Sequence, residues 1–600
     1  MKKSRLSLLS ASISVFAVSS CAYLFPDQYG SEKPLAEEPV EEAFIDPVIL
    51  AQSQCGAPPL TAKSIAKKAI AKTPVFEFAA PFALPDDIIK NFHYPISSED
   101  EEAQRWFDIG MTHMVNFNHD EAIASFREAQ KHDPDCAMCY WGEGLSFGSN
   151  INAPYNSSRG AAGLSAAQKA TELSNSASEH EAALINALAT RYYDGGEGEV
   201  LEAAEAYAIA MDEVTLSYPD DKFILSLAAE ANLDTQPWNY WEADGREPRG
   251  RTARTIEILE HALEIDPEFA PSIHLYIHAT EASVDPFRAE SYADRLAAQS
   301  LGVGHLVHMP SHIYLRLGDW KKSHKANVEA IAADEAYISQ SENATSYSYT
   351  YYPHNVHFLV ANAQMGGDGE TALQMAEKLK KVAQLDPSSM NPFGEHVAAA
   401  PVLTEIQFGS HENILDMPAP PEAHLYVRTA WRYARGLTLA RQGQISEAKI
   451  ELSALSALEN HSGLEEYEPY GVPLPGIVKV AKLTLEGHIA GAEENLTQAI
   501  KLLDAAADAQ DQLSYMEPAW WYNHTRQTLG AYLIKDGQNE RAEREFYRTL
   551  LNTPNNAYAL FGLAEAYKAQ GDEASEKYAR HLFNKAWIGE EGQSPNLSDL

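Results

Sequence analysis

Along residues 103–134, AQRWFDIGMTHMVNFNHDEAIASFREAQKHDP, apolar and small residues recur three and four positions apart in two runs divided by a short turn. Trp106, Ile109 and Gly110 share one face of the first run, and Ala122, Phe126 and Ala129 share one face of the second. Pro134 ends the second run, because proline has no amide hydrogen to donate and clashes with the preceding turn. The pattern predicts two antiparallel amphipathic helices, with Gly110 and Ala122 small enough to let them close on each other. It recurs in TIEILEHALEIDP before Glu268, in HTRQTLGAYLIKDGQNERAEREF (Gly530, Gly537, Ala542, Phe546) and in NTPNNAYALFGLAEAYKAQGD (Pro554, Gly562, Tyr567, Gly571). Helix pairs are predicted to begin near Ala103, Ala137, Lys222, Ala270, Gly304, Pro353, Thr429, Asn523 and Ala557, and more weakly near His180, 390 and 475.

This recurrence resembles the tetratricopeptide repeat (TPR) superfamily. The resemblance implies an all-α, TPR-type right-handed superhelical solenoid of roughly 11–12 helix-turn-helix repeats, with a concave groove that binds a protein or small-molecule partner. The strings FNHDEAIASFREAQKHDPDCAMCYWGEG, NINAP, GHLVHMPSHIYLRLGDW and YYPHNVHF further resemble a family of exported bacterial TPR lipoproteins. That second resemblance implies the fold and carries no activity with it.

The N-terminus breaks the pattern. Lys2, Lys3 and Arg5 precede a mostly apolar, serine-rich stretch from Leu6 to Val18, too short to span a bilayer, which reads as a signal peptide over residues 1–20. Val18-Ser19-Ser20-Cys21 resembles the lipobox of bacterial lipoproteins. The resemblance implies that Cys21 carries lipid and that the protein is an outer-membrane lipoprotein of the cell envelope, touching the membrane only through that lipid. The alternative is ordinary cleavage with Cys21 incidental. Residues 21–94, rich in Pro, Glu and Ala, read as a tether. Beyond it the expected divisions are N-terminal repeats at 95–268, histidine-rich repeats at 269–387, C-terminal repeats at 388–586 and a tail at 587–600.

Charge narrows the partners. The 600 residues hold 85 acidic against 46 basic side chains, a net charge of −39, which repels nucleic acid and anionic lipid. No nucleophile elbow, phosphate-binding loop or dinucleotide fingerprint occurs in the sequence.

Histidine carries the candidate chemistry. Eight of the 21 histidines fall between residues 274 and 357, where an even spread gives about three. Counting each repeat from its first residue, positions two, five, nine and twelve of the first helix face the groove. The repeat from Ala270 puts His274, His278 and Glu281 at five, nine and twelve, and that from Gly304 puts His305, His308 and His312 at two, five and nine. The repeat from Pro353 puts His354 and His357 at two and five, while His324 alone falls on a second helix. Histidines three or four apart share a helix face, and helices packed about 8–10 Å apart bring neighbouring repeats to a shared centre. Protonated, seven such imidazoles repel one another; neutral, their nitrogens need partners.

One or two transition-metal ions answer both needs, with all-nitrogen ligation plus Glu281 favouring copper or zinc and iron as the third choice. The rival reading is a membrane-associated TPR scaffold for envelope assembly or transport, with any metal structural. The weakest reading is a glycan-capturing surface. Whether the protein is an enzyme stays open, as does any catalytic residue.

Smaller features complete the reading. Pro310 either kinks the helix carrying His305, His308 and His312 or starts a shorter one at Ser311. Cys136 and Cys139 form a C-x-x-C that is a local disulfide or helix core on one reading and a redox or metal pair on the other. His119 reads as a structural turn residue. PWNYWEADG (237–245) is expected to wall the groove or take a sugar ring, and the tyrosines of SQSENATSYSYTYYP (339–353) to cover the histidines.

Overall fold

The computed structural model describes residues 76–153, 157–192, 199–299 and 301–600. The signal peptide, Cys21 and the tether up to residue 75 lie outside the described residues. Among those described, helices pair up in twelve successive hairpins from Glu101 to Ala586. Among the described residues there is no β-strand, and only two isolated bridges, Asn150–Ala153 and Trp241–Pro248. No described helix is long and apolar enough to cross a membrane.

The helices used below are labelled in chain order. The first hairpin pairs α1 (Glu101–Val115) with α2 (His119–His132) and abuts α3 (Ala137–Ser146). The histidine-bearing helices are α4 (Ala270–Thr280), α5 (Gly304–His308) and α6 (Pro310–Leu317). They are followed by α7 (Trp320–Ile338), α8 (Tyr351–Gly366) and α9 (Pro392–Phe408). Near the C-terminus come α10 (Leu496–Gln510), α11 (Thr525–Lys535), α12 (Asn539–Asn552) and α13 (Ala557–Gln570).

A phenylalanine wedged between two glycines sets the stacking at both ends of the array. Phe126 of α2 is fully buried between Gly110 of α1 and Gly142 of α3, where an added Cβ would stand 2.7 and 2.4 Å from its ring. Phe546 of α12 repeats this between Gly530 and Gly562, at 2.5 and 2.2 Å. Each wedge locks one hairpin to the next, because only glycine leaves room for the ring.

The apolar interior divides into two large clusters, one of residues between Leu84 and Leu317 joined by Tyr347 and Tyr351, the other of residues between Trp320 and Leu600. The turn Gly318-Asp319 lies where the chain first passes from one to the other. Gly318 adopts φ 69°, and a Cβ there would sit 1.8 Å from the Pro554 carbonyl oxygen, so both conformation and space require glycine. Trp320 donates to the Asn555 carbonyl at 2.8 Å and Asn555 donates back to Leu317 at 3.2 Å. The last hairpin is thereby fastened to the middle of the chain.

The end of the expected tether and the tail are both packed. Phe76 lies 5.3 Å from Phe147 and Phe82 lies 5.5 Å from Tyr337 of α7, so residues from 76 onward lean on an early hairpin and on a middle one. In the tail, Ile588 donates its amide to Gly366 at 2.9 Å and the Thr528 hydroxyl bonds the Leu600 carbonyl at 2.7 Å. Aromatic and aliphatic residues inside both polar stretches supply the reason.

The glycine wedge gives the first prediction. A glycine-to-alanine change in an ordinary helix interior stabilises by about 1 kcal/mol, whereas overpacking a core costs about 1–3 kcal/mol. Gly142→Ala is therefore expected to lower stability by up to about 2 kcal/mol net. Adding Phe126→Leu should recover part of the loss, which chemical denaturation of the single and double variants will show; simple additivity of the two losses would refute the wedge.

Candidate metal centre

The groove positions of α4, α5, α6 and α8 bring six of the seven candidate histidines into two adjoining trios. His274, His278 and His305 form one, and His308, His312 and His354 the other; within each, one nitrogen per ring lies within 4.8 Å of the rest. All are buried except His354, which is half-buried. In the first trio the Nε2 atoms of His274 and His305 face each other at 3.1 Å. In the second, those of His308 and His312 do so at 2.9 Å. His357 is in neither trio; its ring lies 4.9 Å from that of His396 and 5.6 Å from that of Tyr522.

Pro310 splits the helix that carries the middle three histidines. It opens α6, while Met309 before it keeps helical angles of φ −49° and ψ −41°. The bond closest to the break is the shorter-range one from the His312 amide to the Met309 carbonyl, at 3.2 Å. A new helix thus starts at Pro310, one residue before Ser311, with the chain keeping helical angles at Met309.

The far side of three rings is tied down, which decides where their lone pairs point. His278 Nδ1 contacts Glu281 Oε1 at 2.8 Å, and its buried Nε2 has no hydrogen-bond partner. His308 Nδ1 donates to Asn327 Oδ1 at 2.7 Å, and Asn327 in turn donates to the Ser323 carbonyl at 2.8 Å. His312 Nδ1 sits between Glu281 Oε2 at 2.6 Å and Glu517 Oε2 at 2.9 Å. Hydrogen bonds from Nδ1 leave Nε2 facing the centre of each trio, the arrangement in which a carboxylate or amide behind an imidazole orients it toward a metal. Glu281 stands behind both trios. Glu281, His312 and Glu517 also form a third close group of possible ligand atoms.

The electrostatics follow the same division. Burial, reinforced by neighbouring imidazoles, holds His274, His278, His305, His308, His354 and His357 well below the usual histidine range, so they are neutral at pH 7. For His312 burial acts the same way, but the Glu281 and Glu517 carboxylates overcome it and push the ring up to about 10. Metal-free, a charged His312 donates through Nε2 to His308, whose own Nδ1 hydrogen goes to Asn327. Glu517 is steadied by the Tyr515 hydroxyl, and the Arg316 guanidinium donates to the carbonyls of Glu281 and Ser283.

Aromatic rings enclose both trios. Phe117 lies 4.5 Å from His274 and 5.2 Å from His305, Trp238 lies 5.3 Å from His278, and Tyr351 lies 4.7 Å from His305. Phe358 lies 4.6 Å from both His308 and His312. Phe117 and Trp238 hold φ of 56° and 58°, left-handed values that cost a non-glycine residue about 1–3 kcal/mol. Both strained residues press on the first trio. The loops at 237–245 and 339–353 therefore supply walls, Trp238 from one and Tyr351 from the other.

Several contributors were not marked by the repeat pattern. Glu517 comes from the connection between α10 and α11, 205 residues from His312. Asn327 sits on a second helix and Phe117 in a turn, while His396 is at position five counted from Pro392, in a repeat whose start the pattern placed only near 390. Glu517 did have a signal, the aromatic run SYMEPAWWYNH interrupting a helical pattern. Cys136 and Cys139 form a disulfide, buried at the start of α3. His119 accepts from Asn150 at 3.1 Å in the turn region, and His324 lies on α7.

Residues 103–136 match the family model of the tetratricopeptide repeat. No curated protein matches the chain. Among solved structures, the human IFIT1 dimer with m7Gppp-AAAA is similar over 84% of this chain and 95% of its own, at 11% identity and TM-score 0.30. Yeast Tom70 is similar over 79% of this chain and 90% of its own, at 11% identity and TM-score 0.25. The P58(IPK) TPR domain covers 57% of this chain and 90% of its own, at 14% identity and TM-score 0.18. Likeness of this order carries no argument about function. The matched repeat and the twelve stacked hairpins make the described chain an all-α solenoid of tetratricopeptide type.

Proposed function

We propose that this solenoid binds two transition-metal ions, copper or zinc before iron, one in each imidazole trio. A TPR array is a scaffold suited to protein–protein contact, and this one has a metal-binding heart. The observation that carries the reading is the pair of facing Nε2 contacts, at 3.1 and 2.9 Å. Two zinc–nitrogen bonds of about 2.0–2.1 Å at a tetrahedral angle hold their nitrogens about 3.3–3.4 Å apart. The facing pairs thus need to open by only a few tenths of an ångström to admit an ion. In the first trio the unpartnered Nε2 of His278 adds a lone pair that no protein group takes up.

The residues in each role follow from the geometry. His274, His278 and His305 would hold one ion, and His308, His312 and His354 the other. Glu281, Glu517 and Asn327 orient these rings from behind, with Glu281 and Glu517 also offering the negative charge that a divalent ion requires. Export and lipid attachment at Cys21 belong to the same proposal and rest on the N-terminal sequence, which would deliver the metal site to the cell envelope. The scaffold reading, with the ions serving only to stiffen the array, remains the second choice because every trio ligand but His354 is buried.

Metal analysis tests the assignment. The full chain reconstituted with zinc or copper should retain two ions, and His308→Ala combined with His312→Ala should lose one while its circular dichroism stays helical. Two ions retained in that folded variant would remove the second trio from the ligand set. Chelation should destabilise the loaded protein, since an ion at a hundred times its Kd stabilises by about 2.7 kcal/mol per site.

Metal-free stability should also depend on pH in a set direction. Burial lowers His119 and His488 to about 3 and His396 and His524 to about 4, with the six site histidines lowered as well. Below about 6.5 the unfolded chain takes up protons that the folded chain refuses, so each such group removes about 1.4 kcal/mol per pH unit. Burial raises Glu230, Asp334 and Glu395 to about 7 and lifts Asp108, Asp234, Glu486 and Glu517 as well, and these seven oppose the trend by taking up protons in the folded state first. Histidines outnumber them. The denaturation midpoint is expected to fall from pH 6.5 to 4.5; a flat or rising profile would contradict the burial of neutral imidazoles.

A further inference from the structure

His357 stands apart from both trios, yet the way it meets His396 repeats their geometry. The two rings are 4.9 Å apart and inclined at 74°. Inside the trios, His274–His305 stand at 4.9 Å and 79°, His308–His312 at 4.7 Å and 78°, and His308–His354 at 4.9 Å and 76°. Tyr522 makes the third member, 5.6 Å from His357 and 6.4 Å from His396. All three side chains are at most 3% exposed.

Their polar atoms are only partly accounted for. His396 contacts the Ala519 carbonyl oxygen through Nε2 at 3.2 Å, so that nitrogen carries the hydrogen and Nδ1 of the neutral ring keeps its lone pair. His357 Nε2 and the Tyr522 hydroxyl are buried with no hydrogen-bond partner. Leaving a buried polar group unpaired costs about 1–3 kcal/mol, and folded proteins seldom do so without a reason. Two such atoms beside the same imidazole pair point to one missing occupant.

The donor set says what that occupant is. Trp520 at 4.8 Å and Tyr426 at 5.7 Å from His396 enclose it in aromatic surface. No cationic side chain is among the named neighbours to receive an anion, whereas neutral imidazole and phenol oxygen are ligands for copper, iron and zinc. We propose that His357, His396 and Tyr522 form a third, separate site for one transition-metal ion. His357 binds through Nε2, His396 through Nδ1 and Tyr522 through its phenolate. The Tyr522 O–H bond breaks as the metal–oxygen bond forms, and the proton leaves to solvent. The site stands on its own geometry and does not require metal in either trio.

The connection between α10 and α11 builds this site and the second trio together, since it supplies Glu517 to one and Ala519 and Tyr522 to the other. Cupric ion alone, titrated into the full chain, is the probe. The expected result is a visible phenolate-to-copper charge-transfer band that Tyr522→Phe abolishes, with one bound ion fewer in His357→Phe. Anomalous diffraction from copper-soaked crystals of the unaltered protein should place a peak between His357 and His396, which decides the matter even if a variant fails to fold. Peaks at the trios with none at this pair would overturn the third site and leave the trios standing. A peak here with none at the trios would do the reverse, and an unchanged band in Tyr522→Phe would remove the phenolate.

Discussion

A two-helix hairpin can bury its apolar stripe only against the next hairpin, and the register of that stacking is the constraint on which everything at the centre depends. Phe126 and Phe546, each closed between two glycines, show how tightly the register is held. Once it is fixed, a given position on successive first helices faces the same side. Histidines placed at those positions in three consecutive hairpins then stack without any further device. A slip of one residue would turn a ring by about 100°, given 3.6 residues per helical turn. His357 shows the limit of the rule: it shares α8 with His354, yet the two rings serve different neighbours.

Stacking alone would leave these rings in an open groove. Contacts far apart in sequence close it. Leu306 donates its amide to Asn116 at 3.1 Å, next to the strained Phe117 whose ring covers the first trio. From the other end, Glu517 reaches His312, and Asn555 fastens the last hairpin beside the Gly318 turn. Burial keeps the imidazoles around the centre neutral, except at His312, where the buried Glu281 and Glu517 carboxylates hold the charge.

The sequence made the fold legible because the helical period, the small residues at close approaches and the helix-ending prolines all act locally. First helices begin at Ala137, Lys222, Ala270, Gly304 and Ala557, where the repeat pattern puts them, and at Tyr351, Leu425 and Thr525 within a few residues of it. The histidine positions were legible for the same reason, since they lie in the repeat register. Glu517 and Phe117 were not, because each reaches the centre through a loop whose path no local period encodes, and His396 was not, because the weak pattern near 390 left its repeat without a fixed first residue. The division of seven histidines into two trios and an outlier also needed coordinates. Register gives the face of a helix, and not the rotamer or the neighbour that ties down one nitrogen of the ring.

The placement of Glu281 shows why carboxylates at this centre lie behind the imidazoles. Its Oε1 reaches Nδ1 of His278 in the first trio and its Oε2 reaches Nδ1 of His312 in the second, at 2.8 and 2.6 Å. Oε1 is held by a hydrogen bond, whereas Oε2 makes only an ion-pair contact, the His312 hydrogen bond going to Glu517. Its charge still acts there, because attraction between opposite charges falls only with distance and is weakly screened in a buried site. One side chain thus hydrogen-bonds a histidine of the first trio, while its charge acts on both. Filling either trio would draw on that shared charge and hold the shared carboxylate in place for the other, so the two positions are linked through Glu281 as well as through the helices that carry them.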